Sequence, residues 1–279
     1  MKCPDPFLEV RVSDTSLNPS LLALCAGYEN GEWRAHQFAS HLIEWLPEFC
    51  LKFSEIEGVG SHNMVKLLRM AASNVYDTEK FKTRGEIGEL ILHAIVRQEF
   101  HTMPLISKIF YKDSPNDTVK GFDCVHIVEN NEYLELWLGE VKFYQDFKDA
   151  SRDVCAELEA HIQSVYLRKE FIAICNKLDD RHPVSIKVAS LLNQNTSLDK
   201  IFPRIVFPVL ITYESDAIKR NVSLCQEMIA GIKKETSENY KHFKGKLPNL
   251  KSAIHLIMVP LGQKERLVNA FDNEIRRLK

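Results

Sequence analysis

Two acids and a lysine stand where two strand-like segments run into charge: Asp123 opens one, and Glu140 and Lys142 close the other. Side chains two apart share a face of a strand, so Leu134, Leu136, Leu138, Glu140 and Lys142 lie together, as do Asp123, Val125 and Ile127. Aromatic and branched residues dominate both segments, and Asn130-Asn131-Glu132 between them is turn chemistry, so a hairpin is expected. A two-residue loop at Asn131-Glu132 pairs Glu129 with Leu134, Ile127 with Leu136, Val125 with Leu138 and Asp123 with Glu140. A four-residue loop slips the pairs but keeps both acids on one face. Paired positions hold their Cβ atoms roughly 5 Å apart. Two carboxylates that close repel unless a proton or cation sits between them. Glu140-Val141-Lys142, with an acid on the neighbouring strand, is what a Mg²⁺-dependent phosphodiesterase site requires.

Phosphodiester cleavage needs a cation at the scissile phosphate, an activated water, and positive charge near the transition state. Asp123 and Glu140 offer hard oxygens for one or two Mg²⁺ ions, with Mn²⁺ able to substitute, and the Val141 carbonyl could be a further ligand. Lys142 can orient or deprotonate the water and offset developing charge. Glu-x-Lys alone is a weak signal, and a structural salt bridge among Asp123, Glu140 and Lys142 is the rival reading. Here the pair continues a Leu-Leu-Leu face that is not the solvent face, and buried ion clusters are poor stabilisers, which favours function. His126 alternates to the opposite face and reads as a packed histidine. Gln163 and Tyr166 follow at a spacing one residue short of the Gln-x-x-x-Tyr pair of some nucleases. The chain has no Gly-rich phosphate loop, no Gly-x-Ser-x-Gly elbow and no His-Glu-x-x-His, which removes NTPase, serine-hydrolase and zincin readings.

The elements that must position these residues follow from periodicity. A helix beginning near residue 83 carries the stripe Ile87, Leu90, Ile91, Ala94 and Ile95. Glu86 borders that stripe and Glu89 lies nearly opposite it. Both suit the start of a helix dipole; the functional alternative is that Glu86, at the edge of the buried face, points toward the metal, and the choice between Glu86 and Glu89 is left open. Strands follow at 105–112, in the hairpin, at 203–213 and at 253–259, with helices at 146–176, 186–198, 215–234 and 263–278. Pro208 is awkward in a central strand unless a bulge accommodates it. The order from residue 83, α-β-β-β-α-β-α-β-α, predicts an α/β fold with a mixed sheet flanked by helices over 81–279. Residues 1–80 read as a mostly helical N-terminal module: a strand at 7–13, then helices over about 18–29, 33–49 and 61–75. Its Trp33, Phe38, Trp45 and Phe49 suit core packing individually, while the region as a whole is expected to serve partner contact more than catalysis.

At 279 residues, 45% hydrophobic and 27% charged, the chain can bury a sizeable core. Seven scattered cysteines make neither a disulfide framework nor a Cys-x-x-Cys zinc pair, and reduced, mostly buried thiols are expected. The N-terminus does not read as a signal peptide and no apolar run approaches a membrane span, so a cytoplasmic location is expected. Net charge is −2, but residues 201–279 hold 14 basic side chains against 8 acidic. Lys233, Lys234, Lys241 and Lys244, with Lys120 close to the acids, are candidate phosphate contacts; a solvated surface is the other reading.

Arg84-Gly85-Glu86-Ile87-Gly88-Glu89, Asn116-Asp117-Thr118-Val119-Lys120-Gly121-Phe122-Asp123 and Leu136-Trp137-Leu138-Gly139-Glu140-Val141-Lys142-Phe143-Tyr144 together resemble the HamA family, the effector subunits of the bacterial Hachiman anti-phage defence system. The likeness covers most of residues 83–279. It implies a PD-(D/E)xK restriction-endonuclease-like fold, a metal-dependent DNase, and a companion superfamily 2 helicase, HamB, that holds the nuclease in check as a heterodimer. Asp123 matches that motif's first acid, Glu140 its second and Lys142 its lysine; Gly121-Phe122-Asp123 stands where the motif has Pro-Asp. A non-catalytic adaptor that keeps the fold to bind DNA or a helicase is the alternative.

Overall fold

Near-continuous apolar runs become strands buried on both faces, as parallel strands inside an α/β sheet require. A computed structural model describes residues 2–76, 85–107, 121–129, 133–250 and 252–279. Strands β1 (Glu9–Asp14) and β2 (Ser20–Cys25), a ribbon of β3 (Tyr28–Glu29) and β4 (Glu32–Trp33), and helices α1 (Ala35–Cys50), α2 (Phe53–Ile56) and α3 (Met64–Tyr76) precede α4 (Gly85–Glu99). Then come β5 (Met103–Ser107), β6 (Cys124–Glu129), β7 (Leu134–Phe143), α5 (Phe147–His161), α6 (Ser164–Lys177), α7 (Ser185–Leu191) and α8 (Leu198–Ile201). The chain closes with β8 (Ile205–Glu214), α9 (Asp216–Lys219), α10 (Gln226–Lys246), β9 (Ala253–Leu261) and α11 (Lys264–Leu278).

Seven strands form one mixed sheet in the order β1-β2-β9-β8-β7-β6-β5, parallel from β2 to β7 and antiparallel at both ends. This is the α/β architecture expected. One face packs Trp137, Val141, Leu210 and Ile257 against α1, α4 and α11; the other packs Leu136, Leu138, Val209 and Leu256 against α5 and α6. Helix α10 bridges the two layers, with Met228 and Ile232 in one core and Tyr240 and Phe243 in the other. No disulfide joins any of the seven cysteines.

Several local expectations are corrected. Residues 20–25 form a strand, not part of a helix, because Leu21–Cys25 is a buried run between β1 and β9, and a short continuous apolar run has no period that separates strand from helix. The segment before residue 80 thus contributes two strands to the main sheet. Trp33, Phe38, Trp45 and Phe49 are at most 6% exposed and fill the core, as expected of each individually. Helix α10 continues to Lys246, past the expected end at residue 234, because Ile232, Thr236, Tyr240 and Phe243 keep a three-to-four-residue stripe against the sheet layers. Pro208 needs no bulge: the β7–β8 ladder is interrupted at Phe207 and Pro208, where proline has no N–H to donate, and resumes with its register unchanged. The part of the expected 105–112 strand beyond Ser107 lies outside the described residues.

Helices α1 and α4 are tied by a buried ion pair. Arg97 donates from Nε and Nη2 to Glu48 at 2.9 and 3.1 Å, and His93 Nε2 lies 3.1 Å from the same carboxylate. His93 Nδ1 is 3.2 Å from His126 Nε2, whose other nitrogen is 2.7 Å from Thr102 Oγ1. His126 therefore points away from Asp123, as strand parity requires. Burial opposes ionisation of Glu48, but hydrogen bonds and charge from His93 and Arg97 outweigh it and hold the carboxyl at about 2. With the folded pKa below the ordinary value of 4.5, the stabilisation is complete above pH 4.5 and is lost as pH falls through 2. It is worth roughly 3 kcal/mol. Glu48→Gln is expected to flatten the acid-unfolding profile within that window; a profile as steep as that of the parent would show that this pair does not set acid stability.

Candidate active site

The β6–β7 hairpin pairs Glu129 with Leu134, Ile127 with Leu136, Val125 with Leu138 and Cys124 with Gly139. That register sets Asp123, just before β6, beside Glu140. The Asp123 N–H donates to the Gly139 carbonyl at 2.9 Å, and its Oδ2 accepts the Val141 N–H at 2.8 Å. Two glycines let the layers approach this closely. A Cβ on Gly139 would meet Cys124 Sγ and come within 2.7 Å of Leu92 on α4; one on Gly88 would lie 2.6 Å from Val141 Cγ1 and 2.8 Å from Phe143 Cβ. Helix α4 is thereby laid directly on the strand that carries Glu140 and Lys142.

Asp123, Glu140 and Lys142 are 8%, 1% and 9% exposed and line a cleft of about 650 Å³ with Glu89, Glu157, His161, Tyr166 and Lys264. Helix α5 closes one side. His161 Nδ1 sits 2.5 Å from Glu140 Oε1, and Lys142 Nζ donates to Glu157 Oε2 at 2.5 Å. Glu157 and His161 are four apart on a helix, so one helical face engages the two strand residues that are two apart. The Tyr166 ring stacks on His161 at 4.2 Å and 11°, and its hydroxyl is buried without a hydrogen-bond partner among the described residues.

Burial pushes the Glu140 carboxyl up to about 7; the His161 hydrogen bond pulls the other way, and the Asp123 charge adds to the rise. The His161 imidazole is raised: burial lowers it, and the bond to Glu140 outweighs that. Burial raises the Cys124 thiol, and after it the charges of Asp123, Glu89 and Glu140. Four acids, Glu89, Asp123, Glu140 and Glu157, face Lys142 and Lys264 across the cleft. Among the described residues no three His, Cys, Asp or Glu are already gathered into a metal cage. The adjacent carboxylates of Asp123 and Glu140 do fit a hard cation that keeps several of its own waters. The HamA family model matches residues 1–275.

The chain belongs to the HamA family. Membership makes it a protein of Hachiman anti-phage defence, and the match takes in β1 and β2 as well as the cleft. No curated protein matches the chain. No helix among the described residues of this HamA-family protein is long and apolar enough to cross a membrane.

Other expected site residues of the HamA-family chain are placed differently. Glu86 is not among the residues lining the cleft; Glu89 is, and it is buried. The helical stripe misled because α4 lies between the sheet and α1 and is buried all round from Ile87 to Val96, so the apolar side does not mark the site side. Val141 lines the cleft, and its N–H, engaged by Asp123, is what the geometry uses. Gln163 stands at the start of α6 with its amide donating to the Glu159 carbonyl, outside the cleft. Lys120 lies outside the described residues. Lys233, Lys234, Lys241 and Lys244 are exposed on α10, fall within about 100° of one another around the helix, and do not line the cleft.

Proposed function

We propose that this HamA-family protein is a metal-dependent DNA nuclease, the effector of a two-component defence complex with the superfamily 2 helicase HamB. The observation that carries the reading is the placement of Asp123 and Glu140 on neighbouring strands at the charged end of a buried face, with Lys142 two residues on in the same cleft. Mg²⁺ held by Asp123 and Glu140 would neutralise charge on the scissile phosphate and lower the pKa of a water. Lys142 orients that water and offsets charge in the transition state. Glu157 fixes the Lys142 ammonium, and His161 with Tyr166 stacked behind it fixes the Glu140 carboxylate. Lys264 lies along the Phe143 ring, donates to the Phe143 carbonyl at 2.5 Å, and makes no ion pair among the described residues. Its charge is thus available to a phosphate entering the cleft.

Incubating the purified chain with plasmid, alone and with its genomic neighbour, in Mg²⁺ or EDTA tests the reading. Cleavage in Mg²⁺ that EDTA stops is expected. Binding without cleavage under every condition would favour the adaptor. The exposed lysine face of α10 is proposed to follow the phosphate backbone. Replacing Lys233, Lys234, Lys241 and Lys244 by Gln is expected to reduce the salt slope of DNA binding by up to about one per lysine, with sequence preference unchanged. An unaltered slope would make this face a solvated surface only.

A further inference from the structure

A second cavity, of about 310 Å³, lies beside the edge strand β5 and shares no lining residue with the cleft. Its walls present the flat rings of Phe49, Phe53 and His182 beside Pro104, with Phe53 and His182 edge to face at 5.1 Å. At one end stand Glu48, Arg97 and His93. The carboxylate and guanidinium already neutralise each other, so a charged ligand would be stripped of water with no counter-charge to meet it. Ser107 is 5% exposed, lines the cavity, and its hydroxyl has no hydrogen-bond partner among the described residues. A buried hydroxyl left unpaired costs stability, which is accounted for if a ligand completes it.

The size is at the small end of ligand pockets. Ring walls favour a planar aromatic body. A pure hydrocarbon would leave the Ser107 hydroxyl orphaned, whereas an edge with ring nitrogens and carbonyl or amino groups satisfies a group that both donates and accepts. We infer that this cavity binds an uncharged planar nitrogen heterocycle of nucleobase or nucleoside size, its ring against Phe53 and His182 and its polar edge on Ser107. The same chemistry is offered by a free nucleoside and by a base swung out of a nucleic-acid strand.

The cavity is wired to the cleft through two elements. Helix α4 carries Glu89 in the cleft and, at successive intervals of four, His93 and Arg97 in the cavity. Strand β6 carries His126, hydrogen-bonded to His93, three residues beyond Asp123. A ligand bonded at the cavity therefore bears on the elements that hold two of the cleft's acids. Binding itself does not depend on the nuclease reading.

Calorimetric titration of the full chain with adenosine, guanosine, cytidine and thymidine, and separately with a short single-stranded oligonucleotide, tests the site. Saturable binding of at least one nucleoside, or of the oligonucleotide, is expected. Ser107→Ala should weaken it about three- to tenfold while the thermal midpoint holds or rises, since the orphaned hydroxyl is gone. Phe53→Ala should weaken it as well. Oligonucleotide binding displaced by nucleoside identifies a strand base as the source; nucleoside binding alone identifies a free ligand. Absence of saturation with all five probes, or affinity unaltered in both Ser107→Ala and Phe53→Ala, overturns the inference.

Discussion

Glu140→Gln is expected to reduce plasmid cleavage by at least roughly 10²–10³-fold, the scale seen when one preorganised electrostatic group is removed, and to weaken Mg²⁺ binding in the same protein. The carboxylate is 1% exposed and sits beside Asp123, with its pKa pushed up to about 7 by burial before any other influence. A carboxylate kept in such a place is poorly solvated, and a cation is the partner that relieves both its burial and its repulsion from Asp123. Glutamine keeps the shape, can still bond to His161, and removes the charge. The fold should therefore survive, with a thermal midpoint equal to the parent's or above it. Full cleavage by a folded Glu140→Gln protein would remove Glu140 from the chemistry.

The same features show which parts of the site can be read from sequence. Strand parity is local: Leu134, Leu136 and Leu138 alternate, Glu140 and Lys142 continue their face, and Val125 and Ile127 fix the partner strand, so the register follows without tertiary information. Helix placement is not local. Nothing between residues 147 and 161 says that Glu157 and His161 turn toward β7, although their spacing of four against the spacing of two from Glu140 to Lys142 is the signal that would have paired them. Glu86 and Glu89 could not be separated because amphipathic reasoning assumes one buried side, and α4 has burial on every side. Strand β2 failed for the opposite reason: Leu21–Cys25 is apolar at every position, so no period distinguishes the alternatives. The family resemblance rested on runs from residue 84 onward, whereas the family match begins at residue 1 and includes the strands that complete one edge of the sheet.

Lys142→Met should fail in a different way from Glu140→Gln. Methionine keeps most of the stem, so packing along β7 persists, while the ammonium that orients water and offsets transition-state charge is gone. Cleavage is expected to fall by about 10²–10⁴-fold, the range for loss of a positioned acid–base group. Mg²⁺ affinity should hold or increase, because a cation that repels the metal has been removed from beside Asp123 and Glu140. The Glu157 carboxylate loses its partner at 2.5 Å, but its side chain is 44% exposed and returns to water at little cost. A companion variant separates charge from tether: Glu157→Gln leaves the ammonium in the cleft without its ion-pair anchor, and a smaller loss of cleavage with unchanged Mg²⁺ binding is expected. Calorimetric Mg²⁺ titration run beside plasmid cleavage decides among these outcomes. Equal loss of metal in Glu140→Gln and Lys142→Met would leave Lys142 a structural role only, and full activity in Lys142→Met would refute its assignment to the reaction.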